Sequence, residues 1–243
     1  MGRIFSLLVL FALFYTGQTA SADTKPVSVT ASSWLVADGD GNVLKSQNAE
    51  EQRSIASITK LMTAMVVLDA GQRLEEIVNG ITRNNLLKLM LIKSDNRSAE
   101  LLCENYPTGR SGCIRAMNLK AQKLGLVETR FIDPTGLGIM NISTAQELVK
   151  IVIAASKYPE IVRASNTHQG QIQKKKQLWT FNNTNPLVAT KEFIISKTGY
   201  IRAAGGCIVM MLDTKIGQRI VVLLNSRNTY TRIPEANLLA MSF

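Results

Sequence analysis

Ser54-Ile-Ala-Ser57-Ile-Thr-Lys60-Leu-Met-Thr-Ala-Met65 is the stretch around which the rest of the chain arranges itself. Ile58, Leu61, Met62, Met65, Val66 and Leu68 recur at helical spacing, and Gly71 follows as a stop, so a helix is expected over 57–70. Ser57 and Lys60 stand three apart and share one face. Ser57 opens the helix, where the amide dipoles favour developing negative charge. A serine hydroxyl is a poor nucleophile until a base takes its proton. Lysine can be that base when burial and neighbouring cations lower its pKa. His168 is the only histidine and lies in a polar stretch away from any serine motif, so a Ser-His-Asp arrangement has no support. Taken alone, Ser57 reads equally as a helix cap.

Two further words follow in order. Ser94-Asp-Asn96 falls in a polar break between apolar helical runs, and Lys197-Thr-Gly199 closes the strand-like Phe193-Ile-Ile-Ser-Lys-Thr-Gly. Ser94 can relay a proton between Lys60 and a leaving nitrogen. Asn96 can hold a substrate amide and Lys60. Lys197 is a cation placed to meet a C-terminal carboxylate, with Thr198 adding a hydrogen bond. Gly199 lets substrate approach the backbone. The amide of Tyr200 can join that of Ser57 as an oxyanion hole. Each word alone has an ordinary alternative, in capping or in a charged strand end before a glycine turn. The ordered set is far more specific, and Ser57–Lys60 is the chain's only S-x-x-K and Lys197–Gly199 its only K-T-G.

Outward from these words the elements fall into two kinds. Residues 27–36 and 42–45 read as strands about the turn Asp38-Gly-Asp-Gly41. Helices are expected at 84–92, 98–105, 113–124 and 144–156, the last opened by Thr144 with Glu147 as a capping box. Beyond Pro159, strands are expected at 178–181, 193–198, 206–212 and 219–224, then a helix at 234–241. The strands of both ends are expected to join in one antiparallel sheet flanked by helices. The middle, about 60–155, then forms an all-helical lobe, with the three words at the seam.

Composition narrows the setting. Arg3, the apolar run from Ile4 to Tyr15 and the small-x-small Ala20-Ser21-Ala22 read as a cleaved export signal, leaving 23–243 as one exported domain in the periplasm. No later stretch is expected to anchor the chain in a membrane. The net charge of +10 suits an anionic wall polymer or simple solubility, and no motif supports a nucleic-acid partner. The densest run, Lys174-Lys175-Lys176, reads as a solvated loop or strand edge. Spacing leaves a disulfide open between Cys103 and Cys113, Cys207 reads as a buried apolar residue, and neither a metal-ligand cluster nor a cofactor motif is present.

The chain resembles the low-molecular-weight penicillin-binding proteins, the serine D-Ala-D-Ala peptidases of family S11, and most of all their D-alanyl-D-alanine endopeptidase type. The similarity lies in 54–65, Leu89-Met-Leu-Ile-Lys-Ser-Asp-Asn96, Phe131-Ile-Asp-Pro-Thr-Gly-Leu137, Asn183-Thr-Asn-Pro-Leu187 and Ser196-Lys-Thr-Gly-Tyr-Ile201. It implies an α/β (α+β) fold of the β-lactamase and transpeptidase type. It implies Ser57 as acyl-serine, Lys60 as base, Ser94 as relay and Lys197 as carboxylate site. It also implies peptidoglycan peptides as substrates, and β-lactams as covalent inhibitors. Two departures stand out. The segment between Gly71 and Leu86 is short for the family, which suits a weakened, wall-binding relative as an alternative. The chain ends soon after its last helix, with no expected C-terminal domain or amphipathic anchor. A β-lactamase is a further alternative, but no E-x-x-x-N word lies between Asn96 and Lys197.

Overall fold

The computed structural model describes residues 27–174 and 177–243. The expected export signal, and Lys175 and Lys176 of the lysine run, lie outside the described residues.

A five-stranded antiparallel sheet forms the body. Its strands are β1 (Ser33–Asp38), β2 (Val43–Gln47) and, as numbered below, β9 (Ile195–Ile201), β10 (Gly205–Thr214) and β11 (Gly217–Ser226), in the order β2-β1-β11-β10-β9. The expectation that both ends of the chain share one sheet therefore holds, because β1 pairs with β11 along its whole length, from Ser33 opposite Leu224 to Asp38 opposite Arg219. Strand side chains alternate between faces. Leu35, Val209, Met211, Ile220 and Val222 enter one core, while Trp34, Val36, Met210, Val221 and Leu223 enter another. Since both faces are covered, the strands read as continuous apolar runs, and a slip of one residue would exchange the two cores. The outer strand β2 is exposed throughout and carries Lys45, a charged edge that discourages further pairing.

The other elements, in chain order, are β3 (Arg53–Ser54), α1 (Thr59–Asp69), β4 (Ile77–Val78), β5 (Ile81–Thr82), α2 (Arg83–Ile92), α3 (Asn96–Glu104), α4 (Gly109–Lys123), β6 (Ile142–Ser143), α5 (Ala145–Ala155), α6 (Pro159–Ser165), β7 (Gln169–Lys174), β8 (Gln177–Asn182) and, after β11, α7 (Arg232–Ser242). α7 covers one sheet face through Ala236, Leu239 and Ala240. α1 and α5 cover the other, and α1 is buried from Thr59 to Val67. Most polar side chains of a helix buried all round find a partner, although the buried Thr59 hydroxyl finds none among the described residues. Thr63 is partnered by the Pro134 carbonyl at 2.8 Å, and Lys60 by the contacts described below.

Some expectations need correction. Lys197 does not end its strand; β9 starts two residues later than expected and runs on to Ile201. Thr144 caps α5, but Glu147 does not close a capping box. Its carboxylate turns to the Glu128 amide and the Thr129 hydroxyl, a link to a different segment. Asp95, rather than a serine or asparagine beside it, caps α3 by accepting from the Ser98 amide at 2.7 Å. The short segment after Gly71 folds as the β4–β5 hairpin, closed by an ion pair from buried Arg83 to Glu76 at 2.8 Å. The strand expected at 178–181 is β8, but it pairs with β7 as a separate hairpin outside the main sheet, and neither β7 nor α6 was expected.

Cys103 and Cys113 form a disulfide that ties the end of α3 to the start of α4, and Cys207 is buried and free. Closing a loop of this size typically stabilises by about 2–4 kcal/mol. The double variant Cys103→Ala/Cys113→Ala should lose stability of that order in chemical unfolding. Thiol titration of the native chain should find no reactive cysteine, and unfolding should expose one.

Candidate active site

The chain reaches Ser57 through a backbone under strain. Ala56 sits at φ +46 ahead of a 3₁₀ turn, Ala56–Ile58, that leads into α1. Five non-glycine residues have positive φ among the described residues. Three are asparagines, which tolerate that region; the others are Ala56 and Ser94 (φ +61), each beside or within a catalytic word. Ser57 caps nothing. Its Oγ instead accepts a hydrogen bond of 2.8 Å from Lys60 Nζ.

Lys60 is fully buried. Its Nζ donates to Ser57 Oγ at 2.8 Å, to Asn96 Oδ1 at 2.8 Å and to the Thr135 carbonyl at 2.5 Å. Burial pulls its pKa down to about 7, against the opposing charges of Asp133, Asp95 and Glu100. A protonated amine can supply all three bonds. A neutral amine has two N–H groups and one lone pair. With both carbonyl oxygens taking the N–H groups, the lone pair is left facing Ser57 Oγ. The site can therefore hold a neutral lysine aimed at the serine proton.

Ser94 and Lys197 form a second pair. Ser94, two residues beyond the end of α2, adopts φ +61, and its hydroxyl meets β9, where Lys197 Nζ donates to it at 2.9 Å. Lys197 is also buried. Its pKa is held well below the ordinary value by burial first, then by the neighbouring cations Lys60 and Arg232. Ser94 thus bonds Lys197, while Asn96 is the member of its word that bonds Lys60. The Thr198 hydroxyl is engaged with Thr184 Oγ1 at 2.7 Å. A Cβ on Gly199 would stand 2.9 Å from the Ser57 amide nitrogen, so glycine lets β9 close directly on the serine backbone. Tyr200 is exposed at that same edge.

Four further contributors escaped sequence reasoning. The Thr135 carbonyl and Asp133 belong to the Asp-Pro-Thr-Gly turn, a stretch that carries the family resemblance but whose residues signal no chemistry beyond a turn. Arg232, at the start of α7, donates through Nη1 to the Gly199 carbonyl at 2.6 Å. Thr184 links its amide to the Ile92 carbonyl at 3.1 Å, fastening the segment before β9 to the end of α2. Backbone acceptors leave no residue-type signature, and an arginine beyond the last strand has none either.

The family described as D-alanyl-D-alanine carboxypeptidase, peptidase S11, matches residues 17–79 and 72–228. The two matched stretches overlap inside the short segment after Gly71. A D-alanyl-D-alanine endopeptidase of Pseudomonas aeruginosa is 35% identical over 269 residues, covering 98% of this chain and 87% of its own. A mutant of the Streptomyces K15 DD-transpeptidase superposes with a TM-score of 0.82 at 26% identity, covering 88% of this chain and 97% of its own. Penicillin-binding protein D2 of Listeria monocytogenes, in its cefotaxime-bound form, shares the fold with a TM-score of 0.78 at 23% identity, covering 89% and 98%.

The turn that carries Thr135 presses on the serine segment. A Cβ on Gly136, at φ +81, would lie 1.9 Å from the Ala56 carbonyl oxygen. Gly80 has a similar φ of +78 with nothing within 4 Å of its would-be Cβ. Gly80→Ala should cost about 1 kcal/mol, the left-handed backbone penalty alone. Gly136→Ala should cost clearly more and displace Ala56 and Ser57. Equal melting temperatures for the two variants would show that the turn does not press on the serine.

Proposed function

Because the chain belongs to the S11 family of D-alanyl-D-alanine peptidases, we propose that Ser57 is its acylated nucleophile and Lys60 the base that activates it. The protein is a serine hydrolase that cleaves D-alanyl bonds of peptidoglycan peptides and binds β-lactams. The observation that carries the assignment is the buried Lys60 amine, with its pKa near 7, bonded to Ser57 Oγ at 2.8 Å.

In the reaction, neutral Lys60 takes the Ser57 proton as Oγ attacks the D-alanyl carbonyl carbon. The Ser57 and Tyr200 amides receive the oxyanion. The proton that Lys60 took passes by way of the Ser94 hydroxyl, which gives one proton and regains one, to the departing D-amino nitrogen; the C–N bond breaks and leaves an acyl-serine that water then hydrolyses. Asn96, whose Oδ1 is engaged with Lys60, keeps its amide NH2 for a substrate carbonyl. Lys197 and Thr198 attract the substrate carboxylate, and binding that anion favours the ammonium form of Lys197. Gly199 lets β9 lie against the serine segment, so that substrate laid along the open edge of β9 reaches Ser57. Substrates are terminal stem peptides or their cross-links.

Intact-mass analysis after penicillin treatment should show one adduct, absent in Ser57→Ala and nearly absent in Lys60→Ala. The base works neutral. Acylation should therefore fall as pH drops through about 7, where Lys60 gains its proton. On a peptide ending in D-Ala, Lys197→Ala should lower kcat/KM about tenfold to a hundredfold. An adduct that persists in Ser57→Ala would sink the assignment.

We also propose that residues 1–22 direct export and are removed, leaving 23–243 as the periplasmic peptidase unit. The apolar run ending in Ala20-Ser21-Ala22 supports this, as does the wall substrate of the family. No helix among the described residues is long and apolar enough to cross a membrane. Fractionation with N-terminal sequencing should find a soluble form that begins at Asp23. Recovery in membranes with Met1 or Gly2 retained would refute it.

A further inference from the structure

One of the three acceptors of Lys60 lies in none of the catalytic words. The Thr135 carbonyl belongs to an irregular segment between α4 and β6, and one carboxylate gives that segment its shape. Asp133 Oδ1 accepts from the Thr135 amide at 2.7 Å, the Thr135 hydroxyl at 2.7 Å and the Gly136 amide at 2.8 Å. Asp133 Oδ2 accepts from the Gly138 amide at 2.8 Å and Asn141 Nδ2 at 2.6 Å. The chain is wound around a single side chain. The wound turn then docks on α1 at two successive carbonyls. Thr63 donates to Pro134 and Lys60, one helical turn earlier, donates to Thr135. From outside, Asn118 holds Phe131 through both the amide and the carbonyl.

We propose that Asp133 is the positioning residue of the base: by winding the 133–138 turn it presents the Thr135 carbonyl to Lys60 Nζ and so turns the amine's lone pair onto Ser57. The inference rests on the assignment of Ser57 and Lys60 as nucleophile and base. Asp133 meets neither substrate nor the reacting atoms. Its charge has a second effect. Burial alone would raise its pKa, but the bonds from Thr135, Gly138 and Gly136 outweigh burial and hold it below the usual carboxylate value. Asp133 therefore stays ionised wherever the enzyme works. Facing Lys60, it favours the ammonium together with Asp95 and Glu100 of the α3 segment, while Lys197 of β9 faces Lys60 from the other side.

The two effects separate experimentally. The acylation rate constant with a fluorescent penicillin is measured above and below pH 7 on folded protein, normalised by near-UV circular dichroism. Asp133→Asn keeps an acceptor but loses the charge and turns a donor toward Gly138 and Asn141. Its plateau should fall about tenfold or more, because the base is misaligned. Its acid limb should move to lower pH, because removing the charge lowers the Lys60 pKa further. Asp133→Glu keeps the charge but is too long to gather the same five donors. Its plateau should fall while its acid limb stays where the wild type has it. A wild-type plateau in either folded variant overturns the proposal, and if Asp133→Asn does not fold, Asp133→Glu decides it. A wild-type chain that takes no adduct at Ser57 would instead remove the assignment on which the proposal rests.

Discussion

Everything in this molecule is arranged around a primary amine placed where water cannot reach it. A bare ammonium in a protein interior costs several kcal/mol, so such a group neutralises or is surrounded by acceptors. Lys60 does both. Its acceptors come from the start of its own helix, from the α3 segment 36 residues on and from a turn 75 residues on. The buried α1, the cap that starts α3 and the Asp133 turn are parts of one solution to that cost. Because three separate segments converge on one nitrogen, a shift in any of them reaches the base directly.

Lys197 repeats the device on the opposite wall, held below its ordinary pKa by burial first and then by the charges of Lys60 and Arg232. The strain of the site follows the same pattern. Ala56 and Ser94 adopt a backbone conformation that costs them free energy, and they are the residues that aim Ser57 and turn the Ser94 hydroxyl toward Lys197. Gly136 and Gly199 give up side chains so that two segments can press on the serine backbone. Local rules of good folding are broken where the chemistry is, and the well-packed sheet and its two cores sustain the breach.

Most of the fold was legible because apolar spacing records burial. The continuous runs of β10 and β11 and the densely apolar α1 announce themselves, as do the three catalytic words. What stayed hidden shares one property: the contribution is not made by a distinctive side chain. Thr135 acts through its carbonyl. β7 is mostly glutamines and a glycine, with only Ile172 to mark a face. Glu147 looks like half of a capping box, yet it serves a partner 18 residues away. Lys197 was expected at a strand end because glycine usually stops a strand. Here the glycine marks the place where another backbone approaches, and β9 continues past it.

The sheet order has a consequence for the birth of the protein. β1 is made early, but its long partner is β11, nearly two hundred residues later, and β11 also supports β10, on which β9 is laid. Until Ser226 has emerged, the first hairpin has nothing to lean on and Lys197 has no framework. Native pairings of such long range form slowly and all but last. A ribosome-bound or prematurely ended chain therefore holds the serine, the lysine and the turn in sequence without assembling them.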